Sequence, residues 1–181
     1  MIIEKTAIKG LLLVTPDVFT DERGVFFESY NQQRWTEAGV SDLFVQDNQS
    51  QSRKGVVRGL HFQKPPFAQS KLVRVLQGSV LDVAVDIRRS SPTYGQHISV
   101  LLSADNLKQF FLPCGFAHGF IALEEGTLFA YKCSQLYCKE AEVTIPYNDP
   151  LLEIDWGIDN PVVSEKDLQG IDFKNFISPF D

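Results

Sequence analysis

Residues that ligate soft metals or cross-link chains are scarce here. The 181-residue chain has three cysteines, three histidines and one methionine. Cys114, Cys133 and Cys138 are odd in number and match no paired-cysteine zinc spacing, so they read as buried thiols in a reducing compartment. Long apolar runs are absent too. No stretch approaches the ~20 residues needed to span a bilayer, and the apolar run near the N-terminus is too short for a signal-peptide core. The expected setting is the cytoplasm, with no membrane partner. A basic excess is also missing. Seventeen basic residues against 23 acidic ones give a net charge of −6, which excludes a broad cationic field for a nucleic acid polymer. An anionic ligand would have to be held by a few focused Arg and Lys residues. What remains is a chain 44% hydrophobic and 22% charged with fourteen Phe, the composition of a globular protein with an aromatic core. At this length, residues 1–181 form most simply one domain.

Turn residues cut the chain into short strands. Gly10–Pro16 is a continuous apolar run, Asp21–Gly24 (D-E-R-G) a turn, and V-F-F-E-S-Y a strand with Phe26, Glu28 and Tyr30 on one face. Asn31–Gly39 predicts a helix capped by Asn31 and ended by Gly39. Phe44–Ser50 is a strand with Gln46, Asn48 and Ser50 on one side, either a solvated face or a pocket wall rich in amides. Gln77-Gly78 reads as the turn of a hairpin joining Lys71–Leu76 to Ser79–Arg88. On the second of these strands Leu81, Val83, Val85 and Ile87 form an apolar face, with Asp82, Ala84 and Asp86 opposite. Gln96–Ser103, Lys108–Pro113, Ala117–Leu123 and Thr127–Ser134 continue the pattern, and Ser164 caps a short helix. Strands recurring every ten or so residues without alternating helices predict an all-β antiparallel sandwich or barrel with a few short peripheral helices.

Chemistry concentrates in Gln46–Lys71, Q-D-N-Q-S-Q-S-R-K-G-V-V-R-G-L-H-F-Q-K-P-P-F-A-Q-S-K. A metal site in a β-barrel wants two His one residue apart with a carboxylate and a further His. Here Gln63 occupies the partner position and only His97 and His118 follow, so no metal is expected. His61 then reads either as a core histidine or as an acid/base group, since an imidazole near pKa 6.5 suits proton transfer at neutral pH. Arg58, Lys71, His118 and Tyr131 favour the second reading. Strict alternation would put His61 and Arg58 on opposite faces unless Gly59 permits a bulge. Asp82, on the polar face of a central strand, is a candidate partner for His61. Tyr131 and Tyr137 read on sequence alone as core rings with satisfied hydroxyls.

Eight blocks, in order and covering nearly the whole chain, resemble one family. They are F-T-D-E-R-G-V-F-F-E-S-Y, Q-D-N-Q-S-x-S-x-x-G-V-V-R-G-L-H-F-Q, K-L-V-R-V-L-Q-G-S-V-L-D-V-A-V-D-I-R, S-P-T-Y-G, P-C-G-F-A-H-G-F, Y-K-C-x-x-x-Y, Y-N-D-P and W-G-I-x-N-P-x-x-S-E-K-D. The chain is similar in these blocks to the dTDP-4-dehydrorhamnose 3,5-epimerases. The resemblance implies a metal-free cupin-type jelly-roll barrel that forms a homodimer, uses no cofactor and takes a dTDP-linked 4-keto-6-deoxy sugar. It implies His61 as base, oriented by Asp167 ahead of Asp82, Tyr131 as proton donor on the other face of the sugar, and Lys71 beside the keto oxygen. Arg23, Phe26, Glu28, Gln46 and Asn48 match substrate-contacting positions, as do Arg58, His118, Glu142 and Lys166. Tyr137 matches the ring that stacks on thymine, and Arg23 and Arg58 suit diphosphate because a guanidinium binds phosphate oxygens as a fork. The alternatives are a relative that inverts one centre only and a cupin that binds sugar nucleotides without turnover. A metal-dependent oxygenase is disfavoured by Gln63.

Overall fold

The computed structural model describes residues 1–181. In chain order the strands are β1 (Ile2–Lys5), β2 (Leu12–Thr15), β3 (Val18–Asp21), β4 (Gly24–Phe27), β5 (Gln46–Ser52), β6 (Val57–Gln63) and β7 (Lys71–Gln77). They continue with β8 (Ser79–Asp86), β9 (His97–Ser103), β10 (Gln109–Leu112), β11 (Phe116–Ala122), β12 (Thr127–Cys133) and β13 (Glu142–Thr144). Two short helices, α1 (Gln32–Glu37) and α2 (Glu165–Leu168), complete the set with two single 3-10 turns. The caps predicted from sequence are present. The Asn31 side chain accepts from the Arg34 amide, the Ser164 side chain accepts from the Asp167 amide, and Gly39 turns the chain at φ 90.

A six-stranded sheet in the order β1-β2-β10-β7-β12-β5 faces a five-stranded sheet in the order β13-β6-β11-β8-β9. Every pair within them is antiparallel. Strands β3 and β4 pair only with each other, as a projecting hairpin. One expected pairing is corrected. Strands β7 and β8 lie in different sheets, so Gln77-Gly78 is a corner between layers rather than a hairpin turn. Gly78 makes the corner at φ 75, and a Cβ there would stand 2.6 Å from Thr127 Oγ1. Both flanking strands have apolar residues enough to be buried on two sides, and the local pattern cannot tell a hairpin from a layer change.

Three apolar layers follow from this arrangement. Val73, Val75, Phe110, Leu112 and Phe129 of one sheet meet Val80, Ala84, Phe116 and Phe120 of the other inside the barrel. The outward residues Val83, Val85 and Ile87 are covered by the C-terminal segment, through Leu152 and Trp156. Trp35 of α1 covers Val14, Leu72 and Phe111 on the outside of the six-stranded sheet. Phe120 and Phe129 of the interior layer border an open cavity whose other lining side chains are mostly polar.

Candidate active site

The key local feature is a bulge in β6. His61 pairs with His118 and Arg58 with Phe120, so Gly59 and Leu60 oppose the single residue Gly119. One extra residue restores His61 and Arg58 to the same face, and both line one cavity of about 300 Å³ with Lys71, His118, Tyr131, Lys166 and Asp167. Glycine is required on both strands. A Cβ on Gly59, whose φ is 129, would stand 2.5 Å from the Gly119 Cα.

The bulge also takes the Gly59 amide out of the strand ladder. It donates to Asp167 Oδ2 at 3.2 Å, while Asp167 Oδ1 lies 2.7 Å from His61 Nε2. A buried carboxylate from α2 is thus held by one backbone amide and one imidazole. Burial works to raise the Asp167 pKa, but the hydrogen bond and charge of His61, with Gly59 and Ser164, bring it below the usual carboxylate value. With Nε2–H donated to Asp167, the lone pair of a neutral His61 is on Nδ1.

Across the barrel, β7 and β12 present Lys71 and Tyr131, with the ammonium 5.9 Å from the centre of the phenol ring. Burial lowers the Lys71 pKa against the opposing pull of Cys133, Asp82 and Glu142. Burial likewise raises the Tyr131 pKa and keeps the phenol protonated at neutral pH. Neither side chain is stabilised by a hydrogen bond within the protein. His61 belongs to one sheet and Tyr131 to the other, so a ring bound between the layers would have a nitrogen base on one face and a hydroxyl on the other.

Asp82 does not orient His61. It is fully buried, and both its oxygens, at 3.0 and 2.9 Å, face His118 Nε2. The reason is register: His118 lies between β6 and β8, directly opposite His61 on one side and Ala84 on the other, with Asp82 on its diagonal two residues away on the same inward face of β8. Burial drives the His118 pKa down, with Asp82 pulling the other way. This second pair was not legible in the sequence, because the order of β6, β11 and β8 had to be known first. Phe120 and Phe129, stacked with centroids 4.1 Å apart, form an apolar wall of the same cavity.

A shallower extension is lined by Gln46, Asn48, Tyr137 and Glu142. Gln46 Nε2 donates to Asn48, and its Oε1 accepts from the Tyr137 amide at 2.9 Å. Tyr137 and Lys166 both reach Glu142 Oε2, at 2.8 and 2.6 Å, and link the mouth of the pocket to α2. Arg58 is steadied by Ser52, at 3.1 Å from its Nε. Gln63 is a structural tie, bonded to the carbonyls of Phe67 and Leu136 and to the Cys138 amide. No cluster of three or more His, Cys, Asp or Glu side chains comes within ligating reach.

Three expected contact residues lie elsewhere. Arg23 is paired with Asp21, Phe26 is 70% exposed on the β3–β4 hairpin, and Glu28 accepts from Asn31 and Arg34. Within one chain they are not brought to the His61 pocket: the hairpin carrying Arg23 and Phe26 pairs with neither sheet, and Glu28, just after it, is tied to Asn31 and Arg34.

A two-sheet antiparallel barrel thus sets a carboxylate-held imidazole and a half-buried phenol around one cavity. Comparison with known proteins makes the class specific. The family model for dTDP-4-dehydrorhamnose 3,5-epimerase matches residues 5–175. The Shigella flexneri dTDP-4-dehydrorhamnose 3,5-epimerase is 51% identical over 93% of this chain and 94% of its own length. A solved 3,5-epimerase from Legionella pneumophila, in complex with dTDP-4-keto-L-rhamnose, is 50% identical with a TM-score of 0.89, covering 93% of this chain and 90% of its own. A more distant structure, a 3′-monoepimerase from Streptomyces bikiniensis with dTDP-quinovose, is 28% identical with a TM-score of 0.89 over 94% of this chain and 87% of its own. The chain belongs to the dTDP-4-dehydrorhamnose 3,5-epimerase family, isomerases built on the cupin-type jelly roll.

Proposed function

We propose that the protein converts dTDP-4-dehydro-6-deoxy-D-glucose to dTDP-4-dehydro-L-rhamnose by inverting C3 and C5 through an enolate. The carrying observation is the disposition of His61, held by Asp167, opposite Tyr131 and Lys71. Protons alpha to the C4 ketone are acidic only if the developing oxyanion is stabilised. His61 Nδ1 takes the alpha proton, the electron pair moves to the ketone oxygen, and the Lys71 ammonium stabilises the negative charge. Tyr131 then returns a proton from the opposite face, which inverts the centre. The ketone itself supplies the acidity, so the residue set needs no cofactor. Asp82 holds Nε2–H of His118, leaving its Nδ1 as an acceptor for a sugar hydroxyl.

Arg58 and Lys166 supply charge for the diphosphate, which offsets the −6 of the protein. Gln46, Asn48 and Glu142 suit the nucleoside, and the exposed ring of Tyr137 suits stacking on thymine. Arg23, Phe26 and Glu28 enter the proposal through a homodimer, in which the hairpin of one copy reaches the pocket of the other. The exposed Phe19 (65%), Val25 (59%) and Phe26 (70%) on that hairpin support an apolar docking face. Sedimentation should give a dimer mass, and Arg23→Ala should weaken dTDP binding; a monomer with unchanged affinity would remove these three residues from the site. The free state of all three thiols supports a cytoplasmic setting, and no helix is long and apolar enough to cross a membrane.

Turnover in deuterated water tests the reaction. Solvent deuterium is expected at both C3 and C5, and no exchange at either would refute it. The likeness to a 3′-monoepimerase favours one second reading, inversion at a single centre. Stable inversion at one carbon alone in the same experiment would establish that reading instead.

A further inference from the structure

Among buried side-chain nitrogen and oxygen atoms, the Ser50 hydroxyl oxygen is the one with no hydrogen-bond partner in the protein. A buried donor left unmade is costly, and native proteins keep such groups where something else completes them. Ser50 is central in β5, with its side chain on the face shared with Gln46, Asn48 and Ser52. Those neighbours are engaged: Gln46 bonds Asn48, and Ser52 accepts from Arg58 Nε. Its cross-strand partner is Phe129, an apolar ring that offers no hydrogen bond.

The surroundings indicate what the hydroxyl is for. Ser50 lines the same cavity as Arg58 and Lys166. It stands one strand repeat, roughly 6.8 Å, from the serine that anchors Arg58, and one repeat in the other direction from Asn48, which pairs with Tyr131. It therefore lies between the Arg58 anchor and the proton donor, a place suited to the diphosphate where it joins the hexose. A diphosphate carries more lone pairs than two cations can satisfy, and a neutral hydroxyl adds a donor without adding charge. We propose that Ser50 is a substrate-binding residue whose hydroxyl donates to a phosphate oxygen of the nucleotide held by Arg58 and Lys166. This rests on the sugar-nucleotide reading of the pocket.

The test measures dTDP affinity by calorimetry and epimerase kinetics in the wild-type protein, S50A and the near-isosteric S50C. Loss of a hydrogen bond to a charged acceptor should weaken dTDP binding roughly tenfold or more in both variants. KM should rise by a similar factor, with kcat within about twofold by the same reasoning. The melting temperature should hold or rise, because the hydroxyl removed had no partner. Unchanged dTDP affinity overturns the proposal, including the case where only kcat falls and the contact is with the hexose. A lowered melting temperature with parallel loss of both kinetic constants also overturns it, since that marks a structural role. Should the wild type bind dTDP without turning over the sugar nucleotide, the reaction assignment fails, and the affinity comparison still decides Ser50.

Discussion

Asp82 and Asp86 lie four residues apart on the same face of β8, and both are fully buried. They do opposite work. Asp86 is saturated: Arg88 grips it at 2.8 and 2.7 Å, and Ser91 and Thr93 donate at 2.6 and 2.7 Å. These donors outweigh its burial and bring its pKa down to about 2. Asp82 bonds one imidazole, His118, next to two other groups whose protonation matters, Lys71 and His61. A buried charge whose donors all come from its own following loop fixes a corner of the fold. A buried carboxylate bonded to a single imidazole instead supports a side chain that lines the cavity.

The largest expected effect falls at the cavity. His61→Ala removes the general base, whose contribution is typically on the order of 10²–10⁴-fold, and should abolish deuterium exchange at both centres; because it also strips a partner from the buried Asp167 carboxylate, the melting temperature should fall while the protein stays folded. Retained exchange at either centre would assign the base elsewhere. Next comes Asp86. Asp86→Asn loses the charge that Arg88, Ser91 and Thr93 stabilise, and should destabilise the protein by about 2 kcal/mol with little change in kcat. Urea unfolding beside steady-state kinetics would measure both.

The same carboxylate predicts an acid limb. Folding lowers its pKa from 3.8 to about 2, so its contribution is fully present above 3.8 and disappears as pH falls toward 2. The wild-type advantage over Asp86→Asn should shrink across that window; an advantage that stayed constant would show that Asp86 is not the titrating group. The smallest effect belongs to Asp82→Asn. The amide can still accept from His118, so stability should hardly move. Loss of the charge beside Lys71 and His118 should lower kcat/KM by roughly tenfold and displace its pH profile. A stability loss as large as that of Asp86→Asn would erase the distinction between the two aspartates.

Legibility followed the range of the interactions. The caps at Asn31 and Ser164, most strand positions and the singular character of His61 could be read locally, because a cap, a period of two and a lone imidazole among cations are short-range signals. Gln77-Gly78 misled for the same reason, since a glycine corner between layers and a hairpin turn look alike over a few residues. The two edge strands Ile2–Lys5 and Glu142–Thr144 gave no signal of their own; they are short, and exist as strands because a neighbour pairs with them.

By itself the sequence determined the chemical inventory: an all-β barrel, one histidine among cations, and through the eight matching blocks the family. Composition and local spacing suffice for these because each is a property of a few adjacent residues. The tertiary structure alone decided who partners whom. Asp167 reaches His61 because a two-against-one bulge releases the Gly59 amide to hold it, and Asp82 goes to His118 because β11 lies between β6 and β8. Side-chain pairing across sheets depends on strand order and register, and neither is encoded within any one segment of the chain.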